Sequence, residues 1–156
     1  MAVYTKINNK QIKFIEKNYN IGKIINYSGI KKGIENTNFL LKTKKNKYIL
    51  TIYEKRVQKK DIPYFINLMS SLSRLKIKCP VPVKDKKGKY LLNLNNKKGC
   101  VVSFLEGKEK EQLTSKDCFI VGKNTAILHK AAKKLKLYRK NSLSINSFGS
   151  ILNKID

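Results

Sequence analysis

Histidine, cysteine, proline and acidic residues are all scarce in this 156-residue chain, and each shortage excludes something. The single histidine, His129, is followed by Lys130 and Ala131 and has no acid beside it, so it reads as helix surface or packing, not as a proton-transfer group. Cys79, Cys100 and Cys118 lie far apart, form no CxxC pair and leave an odd number, which excludes a disulfide framework and suggests small buried thiols in a reduced compartment. No apolar run approaches the roughly 18 residues of a membrane span, and the opening MAVYTKINNK has no signal-peptide stretch, so a cytoplasmic protein without a membrane partner is expected. With three prolines and 41% hydrophobic residues spread along its length, the chain can fill a core and is no disordered tail. Its length suits one domain or a piece of something larger.

Ten acidic residues against 35 basic ones leave a formal charge of +25, which points first to a polyanionic partner. Two features argue otherwise. Only Arg56, Arg74 and Arg139 carry the guanidinium that suits bidentate phosphate recognition, and the lysines are scattered through every segment instead of forming a block. A solvated basic surface without a specific nucleic-acid site is expected; a non-catalytic, lysine-rich nucleic-acid-binding module stays as the alternative.

Periodicity then orders the chain. Asn8 or Asn9 caps a first helix with Ile12, Ile15 and Tyr19 on one face, ending near Asn20 to Gly22. Strands follow over Ile24 to Ile30, Phe39 to Thr43 and Tyr48 to Tyr53, with turns at Lys32-Gly33 and Lys45-Asn46. Asp61 reads as the N-cap of an amphipathic helix carrying Ile62, Phe65, Ile66, Met69 and Leu72. CPVPV at Cys79 to Val83 is extended, and Tyr90 to Leu94 and Cys100 to Leu105 form two more strands around an Asn95 to Gly99 turn. Thr114 and Asp117 then form a capping box for a long helix whose apolar stripe includes Ile120, Val121, Ile127, Leu128, Ala131 and Leu135. A stripe so wide calls for partners on more than one side. A short apolar patch follows at Phe148, Ile151 and Leu152.

Three strands, a helix, two strands and a linker is the order of a kinase small lobe. In GIKKGIENTNFLL, Gly33 and the polar residues Glu35, Asn36, Thr37 and Asn38 give the first turn flexible backbone and N–H donors, as phosphate binding requires, although an ordinary hairpin has the same composition. There is no full GxGxxG and no Walker loop. MAVYT, ENTNFLL, YILTIYEKRV, IPYFINLM, CPVPVKDKKGK and VVSFLEGK, in that order from Met1 to Lys108, resemble the landmarks of bacterial homoserine kinases of the aminoglycoside phosphotransferase and choline kinase-like fold; AILHKAAKKL fits the segment that follows.

The resemblance implies an α+β fold: a protein-kinase-like small lobe of five mostly antiparallel strands plus a helix over residues 1–107, then the start of a helical large lobe over 108–156. It implies transfer of the γ-phosphoryl of ATP, with Mg2+, to the hydroxyl of homoserine in threonine biosynthesis. Gly33, Glu35, Asn36, Thr37 and Asn38 would cover the phosphates, and Ser103, Phe104 and Leu105 would meet adenine. Thr51 stands where many kinases carry a phosphate-pairing lysine and cannot supply its charge; Lys55 or Arg56 could reach instead, or both are simply solvated. Such kinases also use an HxDxxxxN-like loop for the hydroxyl and the metal, yet no Asp here has an Asn five positions on. The expectation is therefore a truncated or split kinase without catalytic or metal residues, inactive alone, whose long helix drives self-association or pairing with the missing lobe. A related kinase acting on another small alcohol or amine is the nearer alternative.

Overall fold

The computed structural model describes residues 3–141 and 145–152, so Met1 and Ala2 of the MAVYT landmark fall outside the described residues. Helix α1 (Asn9–Asn18) starts at a closed capping box: Asn8 Oδ1 accepts from the N–H groups of Lys10 and Gln11, and Gln11 Oε1 accepts from the N–H of Asn8. Ile12, Ile15 and Tyr19 are buried, as their spacing requires.

Five strands make one sheet: β1 (Ile24–Gly29), β2 (Thr37–Thr43), β3 (Lys47–Ile52), β4 (Leu91–Leu94) and β5 (Lys97–Ser103). Their order is β1-β2-β3-β5-β4, and every pairing is antiparallel. The two-residue period sorts the side chains between two faces. Ile12 and Ile15 pack with Phe39, Leu41, Leu50, Ile52 and Val101 on one face. On the other, Cys100 and Val102 pack with Ile62 and Ile66 of α2 (Ile62–Arg74), while Asn38 and Thr51 of the neighbouring strands lie half-buried. Burying each of these branched side chains contributes about 1.5–3 kcal/mol.

The β4–β5 hairpin is tighter than its sequence suggests. Asn95 and Asn96 take φ of 49° and 60°, the paired left-handed conformation of a two-residue hairpin turn, so β5 begins at Lys97 and ends at Ser103 instead of running from Cys100 to Leu105. Gly99 is demanded by close approach: a Cβ there would lie 2.9 Å from the carbonyl oxygen of Thr51. Asp61 does not cap α2 with its side chain. It ends a 3-10 turn (Lys59–Asp61) in helical backbone conformation, and its carboxylate accepts from Arg139 Nε at 2.8 Å.

Helix α3 (Ser115–Ala132) begins at the expected box, with Thr114 Oγ1 accepting from the N–H of Asp117 and Asp117 Oδ2 accepting from the N–H of Thr114. Its apolar residues, however, face outward. Phe119 is 71% exposed and Val121 63%, and Ala131 is the helix's one buried residue. Cys118 is exposed for the same reason, against the expectation of a buried thiol, whereas Cys79 is half-buried and Cys100 buried. On the last helix, α4 (Ile145–Leu152), Phe148 and Leu152 are exposed; the Ile151 side chain lies outside the described residues. Among the described residues no helix is long and apolar enough to cross a membrane.

Candidate functional site

Residues 30–36 join β1 to β2, with the Ile30 N–H donating to the Asn38 carbonyl at 2.8 Å across their root. At the tip Gly33 adopts φ +108° in open space, a conformation that glycine takes without steric cost. Glu35 is exposed and has no partner among the described residues. Lys32 forms an ion pair with Glu109, which follows β5, so the turn reaches across to the linker.

Behind the turn, on the α2 face of the sheet, Thr51 Oγ1 donates to Asn38 Oδ1 at 2.8 Å across the β2–β3 pairing. The structure thus brings two of the sequence-selected residues together and leaves that position uncharged. Lys55 and Arg56, the cations expected to reach in its place, are exposed just after β3 and without partners among the described residues. They line an open cavity of about 370 Å3 whose other walls include Ile34 and Glu35.

Thr37 is the selected residue that does not point outward. Its side chain is fully buried: the hydroxyl accepts from the N–H groups of Tyr4 (3.0 Å) and Thr5 (3.1 Å) and donates to Glu54 Oε1 at 2.7 Å. Asn36 is half-committed, its Oδ1 accepting from the Glu54 N–H at 3.3 Å. Glu54 itself escaped sequence reasoning, although it sits inside the YEKR landmark. Its side chain is 8% exposed and accepts from Thr5, Thr37 and Lys97. Burial pushes its carboxyl up, but the hydrogen bonds from Lys97, Thr5 and Thr37, with the Lys97 charge, outweigh that and hold it below the usual carboxylate range.

The linker is less open than the sequence implied. The Ser103 N–H donates to the Val81 carbonyl (2.9 Å), its hydroxyl accepts from the Val81 N–H (2.9 Å), and the Phe104 N–H donates to the Lys47 carbonyl at 3.2 Å. The Lys47 ammonium lies 5.3 Å from the Phe104 ring centre and pairs with Glu106 at 2.8 Å. Of Ser103, Phe104 and Leu105, Leu105 is therefore the one whose backbone groups are free among the described residues. The extended CPVPV segment, bridged to Val102 through Pro82, is what occupies the rest.

Chemically the arrangement offers backbone donors in a glycine turn, a polar Asn38–Thr51 pair and the unpaired backbone of Leu105. Among the described residues no group of three or more His, Cys, Asp or Glu could hold a metal ion. His129 is exposed on the last turn of α3, far along the chain from these groups.

The model of the phosphotransferase enzyme family matches residues 26–149. The chain belongs to that phosphotransferase family. Its match begins inside β1 and runs past α3, so the glycine turn, Thr51 and the linker all lie within it. The chain is 38% identical over 151 residues to a homoserine kinase of Parvibaculum lavamentivorans, covering 97% of this chain and 47% of that protein. It is 40% identical over 154 residues to a homoserine kinase of Rhizobium etli, covering 99% and 48%. The chain thus spans about half the length of the curated relatives it matches. Among solved structures, a spectinomycin phosphotransferase in complex with ADP and spectinomycin superposes with a TM-score of 0.67 at 17% identity, covering 97% of this chain and 48% of that one. At that identity the likeness concerns the fold alone.

Proposed function

We propose that this chain is the nucleotide-holding part of an ATP-dependent homoserine kinase acting in threonine biosynthesis in the cytoplasm. The observation that carries it is the 38–40% identity to homoserine kinases running along 97–99% of the chain. The likeness to a phosphotransferase that binds ADP supports nucleotide as the ligand of this fold. Backbone N–H groups of Gly33 to Asn38 would cover the phosphates, with the polar pair of Asn38 and Thr51 behind them. Leu105, beside Ser103 and Phe104, would pair with adenine. Lys55 and Arg56 are the available cations for the phosphate charge. Residues 1–107 form this lobe, and 108–156 begin a second, helical one.

In the reaction the homoserine hydroxyl oxygen bonds to the γ-phosphorus, the bond to the β-phosphate oxygen breaks, and ADP leaves. The hydroxyl proton would go to the Asp of an HxDxxxxN-like loop, a pattern this sequence does not show. Mg2+, which neutralises the developing charge in such transfers, would likewise find its ligands elsewhere. Positioning and charge stabilisation provide nearly all the catalysis of phosphoryl transfer, so the chain by itself should be inactive.

The test compares two polypeptides given ATP, Mg2+ and homoserine. This chain alone should form no phosphohomoserine above a no-protein control. The same chain fused to the second half of the Rhizobium etli relative should form it, and should prefer homoserine to other small alcohols and amines. Turnover by the chain alone, or a chimera that ignores homoserine, would contradict the assignment.

A further inference from the structure

Glu54 joins three parts of the chain that are remote in sequence: the N-terminal segment, the junction of the β1–β2 turn with β2, and the β4–β5 hairpin. Its Oε1 accepts from the hydroxyl of Thr5 in the N-terminal segment (2.7 Å) and from that of Thr37 at the start of β2 (2.7 Å). Its Oε2 takes the Lys97 ammonium from the β4–β5 hairpin, and that ammonium also donates to Thr5 Oγ1 at 2.7 Å. Its own N–H donates to Asn36, the last residue of the β1–β2 turn. The hydroxyl of Thr37 is then saturated: its one proton goes to Glu54, and it accepts from two backbone N–H groups. From the segment so anchored, Tyr4 Oη donates to the carbonyl of Ile34, within the turn, at 3.1 Å.

Two of these bonds end on residues 30–36 themselves, the Glu54 N–H on Asn36 and the Tyr4 hydroxyl on Ile34, while Thr5, Thr37 and Lys97 converge on the Glu54 carboxylate and hold the segments that flank the turn. The turn has little else: a Cβ at Gly33 would meet nothing within 4 Å, Glu35 is exposed without a partner among the described residues, and the Lys32–Glu109 pair is at the surface. We propose that Glu54 is the positioning residue that sets the β1–β2 turn, its carboxylate acting through Thr37 and the Thr5–Tyr4 segment and its main-chain N–H through Asn36. Its consequence for nucleotide binding rests on the function proposed above; its hold on the turn does not.

Glu54→Gln preserves shape and keeps one oxygen for the threonine hydroxyls, but it faces the Lys97 ammonium with an amide instead of a carboxylate. Backbone hydrogen exchange, measured without ligand, should accelerate about tenfold or more at residues 30–37, the scale of one lost charge-assisted bond, while β3 and β5 amides stay protected. Tyr4→Phe, a milder change on an exposed ring, should accelerate only residues 33–36, by a few-fold. Exchange unchanged at the turn, or raised equally throughout the sheet, would overturn the role, because a purely structural carboxylate loosens everything. If Glu54→Gln does not fold, the Tyr4→Phe result decides: no local acceleration there contradicts the proposal. ADP titration separates the two claims. Affinity that falls about tenfold with the freed turn supports both. A wild type that binds no ADP, with the turn still loosened by Glu54→Gln, contradicts the functional reading and leaves Glu54 in its role. Unchanged ADP affinity with an unchanged turn does the reverse.

Discussion

The sheet and α3 are built from the same kinds of apolar residue at equally regular spacing, yet only one of them is covered. Leu41, Leu50, Ile52 and Val101 are fully buried between α1 and the sheet, whereas Phe119, Val121, Ile120 and Ile127 lie open on α3. Periodicity states which face must be hidden; it does not supply the cover. The sheet finds its cover within the chain, in α1 on one face and α2 on the other. On α3, Ala131 alone is buried.

That contrast can be broken by substitution. Leu50→Ala should lower the unfolding free energy by about 2–5 kcal/mol, the range for truncating a leucine in a closed core. Ile127→Ala should stay within about 0.5 kcal/mol, as at an exposed position. Denaturant titration measures both, and comparable losses would mean that α3 is covered after all. Next in size is association. A bare stripe is worth about 25 cal/mol per Å2 to whatever hides it, so the chain should self-associate at tens of micromolar in sedimentation velocity. Phe119→Ser with Val121→Lys should shift it to monomer and leave the thermal midpoint nearly unchanged. A compact wild-type monomer that binds no hydrophobic dye contradicts this.

A smaller effect distinguishes the sheet end from α3 by pH. The Glu54 carboxyl is held below its unfolded value, so its stabilisation is fully present above the unfolded pKa of about 4.3 and disappears as pH falls through the lower folded value. Facing it are Lys97, Thr5 and Thr37, with Lys55, Arg56 and Glu35 lining the same cavity as Glu54. Acid titration of stability should show this step in wild type and lose it in Glu54→Gln. Smallest is the lysine surface: duplex binding should weaken steeply with salt and ignore base sequence, and a preference above about a hundredfold at physiological salt would favour a dedicated nucleic-acid site.

Much of this was legible in the sequence where the determinants are local. The cap at Asn8 or Asn9 and the Thr114 box depend on residues within three positions, and the strand alternation of β2 and β3 is visible directly. What was not legible depends on contacts distant in the chain. Asp61 has the composition of a cap but spends its carboxylate on Arg139, 78 residues away. Ser103 and Phe104 looked free until CPVPV and Lys47 took their N–H groups. Thr37 turned inward because Glu54 waits there, and Glu54 meets Thr5 and Lys97 at separations of 49 and 43 residues. MAVYT and YEKR were both visible as landmarks, but nothing in either states that they touch.

The central claim, that this sheet and its first turn hold a nucleotide, is tested most directly by amide NMR of the chain titrated with ATP. Shifts should concentrate at Gly33 to Asn38, Thr51 and Leu105 and saturate by about 1 mM, within the usual range for enzyme substrates. Shifts confined to the Lys44 to Lys47 loop and other surface lysines, or none at the turn at saturating ATP, would contradict it.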